Sequence, residues 1–191
     1  MNEKDVLNLI KKDKWMVDIL KATREINLSD WWIGAGFVRS KVWDNLHNYK
    51  NRTPIPDIDV IYFDKNDFLE EEAGAETTKS EIKYENELKK IMPSVNWSVT
   101  NQARMYINHN HSQYKTSSEG LSYWVETATC IGVRLDDKNE LVLTAPHGID
   151  DLVNLTLRPT KGSYKDTKMF EERIAKKNWL IKWPKLKVVL E

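Results

Sequence analysis

The feature that most constrains this chain is a pair of aspartates, Asp57 and Asp59, set two residues apart in an apolar segment. Residues 60–63 continue as a β-rich run, which predicts a strand. Side chains two apart on a strand point to the same face, so the two carboxylates converge. Their repulsion is costly unless a divalent cation neutralises them or solvent reaches them at a strand end. The pattern therefore predicts either a Mg²⁺ site, because Mg²⁺ prefers hard oxygen ligands, or a solvated strand edge.

A glycine turn lies upstream of the acid pair. Residues 31–33 form a short apolar run, Gly34, Ala35 and Gly36 follow, and apolar residues return at helical spacing in residues 38–46. This order predicts a strand, a turn and a helix. The backbone of such a turn approaches a phosphate closely, and the N-terminus of a helix favours negative charge. The whole succession, ending in Asp-x-Asp on the next strand, is more specific than either motif alone.

The remaining segments predict one α/β (α+β) domain that spans residues 1–191. Periodicity and composition indicate helices at 1–26, 150–157 and 167–181, strands at 95–100, 127–135 and 140–144, a loop at 110–120, and a hairpin turn at 136–139. We expect a mixed, twisted sheet of about five strands with helices mainly on one face. Residues 160–191 are expected to form a helical C-terminal tail.

Charge and composition restrict the classes of partner that we expect this protein to have. Lys plus Arg and Asp plus Glu are both 29, so no global basic field gathers nucleic acid. The sequence has no apolar run typical of a signal peptide or a membrane span, so we expect a cytoplasmic protein without a membrane partner. The single cysteine, Cys130, is expected to be a buried strand residue, and most of the eight tryptophans are expected to fill the core.

The order of motifs resembles the nucleotidyltransferase superfamily typified by DNA polymerase β. Residues 33–62 are most similar to the head domain of bacterial-type tRNA CCA-adding enzymes and poly(A) polymerases, and the whole chain resembles a family of small, largely uncharacterised bacterial nucleotidyltransferase-like proteins. The family pattern Gly-Gly-x-Val-Arg-Asp corresponds to residues 35–40, with Ala35 replacing a glycine and Ser40 replacing an acid. Asp57 and Asp59 correspond to its Asp-x-Asp motif.

The resemblance implies Mg²⁺-dependent transfer of a nucleotidyl group from an NTP to a hydroxyl of an acceptor, which is an RNA or a small molecule. Asp57 and Asp59 would be catalytic and hold the metal. The residues expected to bind the nucleotide are Gly34, Ala35, Gly36, Arg39, Ser40 and Arg104. Both arginines have an alternative role in structural salt bridges.

The expected third carboxylate is absent from its usual position. The family takes it from a neighbouring strand, but residues 95–100 contain Trp97 and Ser98 and no acid. Glu126 is therefore our candidate for the third catalytic acid, with another acid from elsewhere in the chain as the alternative. Glu126 and Thr127 stand where the family has an Arg-Asp pair. Two alternatives follow: a weakened module that only binds nucleotide or metal, and an RNA-interacting protein that uses Trp and Arg as stacking surfaces.

The histidines are expected to have structural positions. His147, beside Gly148, is expected to shape a turn, with substrate contact as the alternative. His109 and His111 lie in a polar loop without cysteines or a third ligand nearby, which favours a solvated loop over a metal site. Neither the base, the acceptor nor the oligomeric state is predicted.

Overall fold

A computed structural model of the chain describes residues 1–68, 72, 74–109, 112–161 and 167–190. The helices are α1 Glu3–Lys11, α2 Lys14–Glu25, α3 Gly36–Leu46, α4 Lys79–Ile91, α5 Gln102–His109, α6 Ser117–Ser122, α7 Asp150–Val153, α8 Thr167–Lys177 and α9 Trp179–Lys182. The strands are β1 Trp32–Ile33, β2 Ile58–Tyr62, β3 Trp97–Asn101, β4 Gly132–Leu135, β5 Leu141–Thr144, β6 Thr156–Leu157 and β7 Lys187–Val188. The predicted loop residue His111 lies outside the described residues.

The main sheet has five strands in the order β3-β2-β1-β4-β5. Strands β2 and β3 are parallel, whereas β1 pairs antiparallel with both β2 and β4, and β4 with β5. The parallel pair is joined through α4, as a parallel connection requires a crossover. This mixed sheet confirms the predicted α/β class.

The larger core fills the space between one face of the sheet and helices α1 to α4. On β2, Ile58, Val60 and Tyr62 face this core. The helices contribute apolar residues at helical spacing, among them Val6, Ile10, Ile19, Leu20, Val38, Val42 and Leu88. Side-chain caps fix the starts of these helices, since Asn2 and Asp13 accept hydrogen bonds from the first turns of α1 and α2. The prediction that helices lie mainly on one face is confirmed.

The opposite face of the sheet carries a smaller cluster made of Trp32, Ile61, Leu121 and Cys130. Helix α6 supplies Leu121, and α5 also contacts β2. Because side chains alternate along a strand, Asp59 shares the face of Ile61. The acid pair therefore lies on the face that the short helices α5 and α6 cover.

Four predicted boundaries differ in the structure. Residues 127–129 form a 3₁₀ turn, so the predicted strand at 127–135 begins only at Gly132. The predicted loop at 110–120 contains the start of α6, because Thr116 caps the helix by accepting the N–H of Glu119 at 3.0 Å. The predicted helix at 150–157 ends at Val153, after which β6 begins. Asn178 breaks the predicted helix at 167–181 with a left-handed backbone, φ 54°.

The C-terminal segment is not helical throughout. Strand β7 pairs parallel with β6, in the register Thr156 to Lys187 and Leu157 to Val188. Between α8 and β7, Trp179 and Trp183 are both buried, and Trp43 packs edge-on against each of them. The segment is thus part of the fold and not a free tail.

Buried aromatic residues and the cysteine agree with expectation. Six tryptophans are buried: Trp31, Trp32, Trp43, Trp97, Trp179 and Trp183. Cys130 is also buried, although it follows the 3₁₀ turn and lies outside any strand, and burial raises the pKa of its thiol. Among the described residues, no helix is both long and apolar enough to cross a membrane.

Candidate active site

Asp59 is tied directly to the glycine turn. It lies in β2 opposite Ser98 of β3, and its backbone carbonyl accepts the N–H of Gly34 at 3.0 Å. Asp57 immediately precedes β2, where the N–H of Ile58 donates to the carbonyl of Asn96 at 2.8 Å. The two predicted motifs are therefore adjacent in space and fixed by backbone hydrogen bonds.

Asp59 is half-buried beside the charge of Asp57. Burial and the charge of Asp57 raise the pKa of the Asp59 carboxyl to about 6, while Arg39, Lys177 and Arg173 act in the opposite direction. An acid whose pKa rises in this way is one whose ionised form lacks a full countercharge. The pair therefore has the chemistry of a divalent-cation site, and its hard oxygens suit Mg²⁺.

Ala35 has a backbone conformation that normally belongs to glycine. Its φ is 49° and its ψ is −122°, at the residue just before α3. Gly34 and Gly36 instead matter for space, because a Cβ at Gly34 would lie 3.2 Å from the ring of Trp124, and a Cβ at Gly36 would lie 3.3 Å from Cγ2 of Ile55. The turn therefore stores strain at Ala35 while its neighbours permit close packing.

Arg39 is a buried cation next to this turn. Its side chain is 8% exposed, and its guanidinium carbon lies 4.4 Å from the ring centroid of Trp179 and 5.4 Å from that of Trp43. Burial lowers its pKa to about 10, whereas Glu126, Asp59 and Asp57 raise it. Within the described ranges its Nε has no hydrogen-bond partner and no carboxylate forms an ion pair with it. The alternative of a structural salt bridge is therefore not realised there.

The side chains of Ser40 and Arg39 both lie near Gly36 of the glycine turn. A Cβ built on Gly36 would lie 3.6 Å from Nη2 of Arg39 and 3.9 Å from Oγ of Ser40. Both residues are buried. The N–H groups of Gly34, Phe37 and Arg39 already donate to backbone carbonyls. The donors for an anion at this point are therefore the side chains of Arg39 and Ser40 and the remaining N–H groups at the start of α3.

Glu126, the expected third catalytic acid, is paired with other side chains in the structure. It is fully buried, and its Oε1 accepts a hydrogen bond from Nε of Arg173 at 2.5 Å, while its Oε2 accepts one from Oγ1 of Thr129 at 3.1 Å. With both oxygens occupied, it holds Arg173 in place. In the part of the chain that the structure describes, no three His, Cys, Asp or Glu residues come together as a metal centre.

Arg104 is not brought to the acid pair. It is 1% exposed and forms a bidentate ion pair with Glu81, with Nη2 to Oε2 at 2.7 Å and Nε to Oε1 at 2.9 Å. Its remaining donors bind the carbonyls of Ala75 and Glu76. The geometry favours the alternative structural role of Arg104 over nucleotide binding, because its guanidinium already joins α4, α5 and residues 75–76.

Sequence reasoning missed two cations on α8. Arg173 and Lys177 are one helical turn apart, and both lower the pKa of Asp59 through their charge. Phe170 and Ile174 anchor α8 in the core. The signal was an amphipathic helix with its basic residues near its C-terminus, but nothing local in the sequence relates this helix to residue 59.

His147 matches its predicted structural position. Its Nε2 lies 2.7 Å from the carbonyl oxygen of Ser122, and Gly148 follows with a positive φ of 73°. This arrangement joins the turn after β5 to the end of α6.

Comparison with known proteins identifies relatives of this fold. The sequence profile of a family described as Nucleotidyltransferase matches residues 21–188. A protein solved by NMR, described as revealing a CCA-adding enzyme head domain, is 30% identical with a TM-score of 0.80, over 98% of this chain and 96% of that one. No curated protein matches the chain in sequence.

Two larger enzymes share the fold alone. A CCA-adding enzyme in complex with CTP is 15% identical with a TM-score of 0.54, over 99% of this chain and 43% of that one. The Thermotoga maritima CCA-adding enzyme complexed with tRNA gives 15% identity, a TM-score of 0.54 and coverage of 99% and 42%. The chain thus spans less than half the length of either enzyme.

Proposed function

Because the chain belongs to the nucleotidyltransferase family, we propose that it transfers a nucleotidyl group from an NTP to a hydroxyl of an acceptor. One observation carries the proposal: the acid pair lies beside a glycine turn and within the electrostatic reach of Arg39, Arg173 and Lys177. Opposed charges of this kind suit a metal-bound triphosphate, since the acids attract the metal and the cations attract the phosphates.

Mg²⁺ fits the residues that are present. Asp57 and Asp59 supply two hard carboxylates, and Mg²⁺ commonly uses one or two carboxylates together with waters and substrate phosphates. The raised pKa of Asp59 supports this fit, because burial and the charge of Asp57 disfavour its ionised form, which a bound cation would stabilise. Bound there, Mg²⁺ would supply positive charge against the phosphates of the nucleotide.

Different side chains of the protein would bind different parts of the triphosphate. Arg39, with an unpartnered Nε in the described structure, and Ser40 would bind phosphate oxygens at the turn. Arg173, held by Glu126, and Lys177 would approach from α8 and stabilise the leaving pyrophosphate. In the transfer, the acceptor oxygen bonds to the α-phosphorus, the bond from that phosphorus to the bridging oxygen breaks, pyrophosphate leaves and the hydroxyl proton passes to water.

A second candidate function follows from the missing third carboxylate. With Glu126 paired to Arg173, no third acid stands with Asp57 and Asp59 among the described residues. This favours a module that binds Mg²⁺ and NTP without transfer. The tRNA and CTP bound by the two larger enzymes do not decide between the two functions, because this chain spans less than half of either.

One experiment separates these functions. The protein is incubated with Mg²⁺ and each of the four NTPs, labelled at the α-phosphate, in a cell extract divided into RNA, protein and small molecules. Transfer predicts label in one fraction that depends on Asp59 and is lost in Asp59→Asn. Binding without transfer predicts that amide resonances near Gly36 shift with Mg·NTP while no fraction gains label. Unchanged spectra at millimolar nucleotide contradict both.

A further inference from the structure

A small cavity opens on the same face of the sheet as Asp59. Its volume is about 180 Å³, and its floor is formed by Asp59 and Ile61 of β2 and Thr100 of β3. Residues around α5 and α6 form the other side, namely Gln102, Met105, Tyr114, Gly120, Tyr123 and Trp124. We call this space the ring cavity. It lies beside the acid pair without being part of the arginine and lysine cluster.

The walls of the ring cavity are aromatic. Tyr114 and Tyr123 stack with centroids 5.1 Å apart at an interplanar angle of 14°. The ring of Trp124 lies against the glycine turn, 3.2 Å from the Cβ position of Gly34. Flat aromatic walls favour a flat or ring-shaped occupant. Trp124 also makes the cavity and the phosphate turn immediate neighbours.

Polar groups at the edge of the ring cavity are held in place by packing. The side chain of Gln102 is 3% exposed and fills the space where Gly120 lacks a Cβ, with its Oε1 2.5 Å from that position. Thr100 lies next to Ile61 in the register of β2 and β3. The cavity thus combines an apolar body with a few fixed polar groups, as ligand sites do.

Size and charge restrict the occupant. Sites that enclose drug-sized ligands measure about 300–1,000 Å³, so a cavity of about 180 Å³ takes a single ring system and not a whole nucleotide. Among the described residues that line it, Asp59 is the one charged side chain, and there is no lysine or arginine. A strand of RNA would need cations along its phosphates, so the lining favours an uncharged small molecule over a polynucleotide.

We propose that the ring cavity binds the acceptor, an uncharged aromatic or heteroaromatic alcohol of one ring, with its hydroxyl directed toward Asp59. The assignment rests on the proposed transferase function, since it names the molecule that receives the nucleotidyl group. Trp124 separates the ring from the triphosphate at the turn and brings the hydroxyl beside the α-phosphate. Binding of the ring itself needs no nucleotide.

The test uses the full chain without nucleotide, with benzyl alcohol as the probe and benzoate as its charged analogue. The indole N–H signal of Trp124, assigned with Trp124→Phe, reports binding. We expect benzyl alcohol to shift this signal and benzoate to bind about tenfold more weakly, because its carboxylate meets Asp59 without a cation. Equal binding of the two probes overturns the proposal.

Cavity variants provide the second arm. Thr100→Ile fills the space, and Tyr123→Leu removes one aromatic wall; each should weaken benzyl alcohol binding about tenfold or more while the Mg·ATP response near Gly36 persists. Thr156→Ile on β6 is the matched control and should leave both responses intact. Unchanged probe binding in both cavity variants overturns the proposal, as does a Trp124 signal that responds to a 12-nucleotide RNA and not to benzyl alcohol. If the protein binds benzyl alcohol but shows no Mg·ATP response near Gly36, the result contradicts the transferase function and leaves the ring cavity as a binding site.

Discussion

The guanidinium of Arg39 lies over the ring of Trp179, with 4.4 Å between its carbon and the ring centroid. Arg39 comes from the first turn of α3, beside the glycine turn, whereas Trp179 begins α9 near the end of the chain. Arg173 also lies over the same ring, at 5.7 Å. One C-terminal tryptophan therefore supports two of the cations around the acid pair.

Trp179→Leu is expected to weaken both the fold and the site. Loss of a fully packed indole costs about 2–4 kcal/mol of unfolding free energy. Arg39 also loses a cation–π contact worth about 1–2 kcal/mol, so ATP affinity should fall beyond what instability explains. Urea unfolding and titration of the folded protein with Mg·ATP measure the two effects. Trp97→Leu, a buried change on β3, is the control for stability alone. Equal ATP affinity in both variants would contradict the role of Trp179.

Asp59→Asn is expected to stabilise the metal-free protein at neutral pH. The pKa of Asp59 is raised to about 6, above the ~3.9 of an unfolded chain. A raised pKa contributes stability that is fully present below about pH 4 and is lost as the pH rises through about 6. In EDTA at pH 7.5 the variant should therefore be more stable by about 1–3 kcal/mol, with no gain at pH 4.

Added Mg²⁺ should reduce this difference, because it stabilises the ionised wild-type pair and not the variant. Urea unfolding at both pH values, with and without Mg²⁺, measures it. Asp18→Asn, on an exposed α2 position paired with Lys14, is the control and should change stability by less than about 0.5 kcal/mol. A variant that is less stable than wild type at pH 7.5 in EDTA would refute the interpretation.

Ala35→Gly is expected to stabilise the protein. The φ of 49° and ψ of −122° at this residue are strained for alanine and readily adopted by glycine. The free energy gained by relief of strain should exceed the free-energy cost of the greater conformational freedom of glycine in the unfolded chain. The unfolding free energy should therefore rise by about 1 kcal/mol, or Tm by about 2–4 °C. Ala22→Gly inside α2 is the opposite control and should lower stability. A lower Tm for Ala35→Gly would show that the turn is not strained.

Lys177→Gln is expected to weaken Mg·NTP binding without affecting the fold. Lys177 is exposed on α8, and its charge acts on Asp59. Loss of a charged contact to a phosphate costs about 1–2 kcal/mol, or roughly fivefold to thirtyfold in affinity. Lys176→Gln, the exposed neighbour on the same helix, is the matched control. Calorimetry at low and high salt should show weaker Mg·NTP binding for Lys177→Gln than for Lys176→Gln. Equal affinities would show that Lys177 does not contact the nucleotide.

Arg104→Met is expected to destabilise the protein while leaving its chemistry intact. Removing one partner of the buried ion pair leaves the Glu81 carboxylate without its countercharge and should cost about 3–5 kcal/mol. The double variant Arg104→Met with Glu81→Leu removes the unpaired charge and should recover only part of the loss, because Glu81 also accepts the N–H groups of Thr78 and Asn101. Urea unfolding of the single and double variants measures this coupling. If the folded Arg104→Met protein loses Mg·NTP affinity, the structural assignment is wrong.

Local patterns in the sequence were sufficient for the acid pair and the turn. Asp57 and Asp59 are two residues apart, and Gly34 to Gly36 adjoin the helix they introduce, so strand alternation and helix geometry alone predict their arrangement. The neighbouring strand was predicted at residues 95–100, and the structure has it at Trp97–Asn101, where buried and half-buried positions alternate. These features depend on contacts between residues close in sequence or on the two-residue period of a strand.

Long-range partners were not predictable in the same way. Arg39, Arg104 and Glu126 are all polar residues in apolar surroundings, and sequence could not tell which of them finds a countercharge. Arg104 finds Glu81 and Glu126 finds Arg173, while Arg39 rests on aromatic rings. Each outcome depends on how α4, α8 and α9 pack, and the 3.6-residue period of these helices does not encode that packing.

The pairing of β7 with β6 has a consequence for the order in which the protein matures. Residues 187 and 188 lie against Thr156 and Leu157 and hold the segment that carries Arg173, Lys177 and Trp179 against the domain. The glycine turn and the aspartates are synthesised much earlier. A nascent chain still lacking residues 179–188 therefore presents the acids with Arg39 but without a docked Arg173 and Lys177. Under the proposed function, its affinity for a nucleotide should reach the final value only after these last segments have emerged from the ribosome and docked.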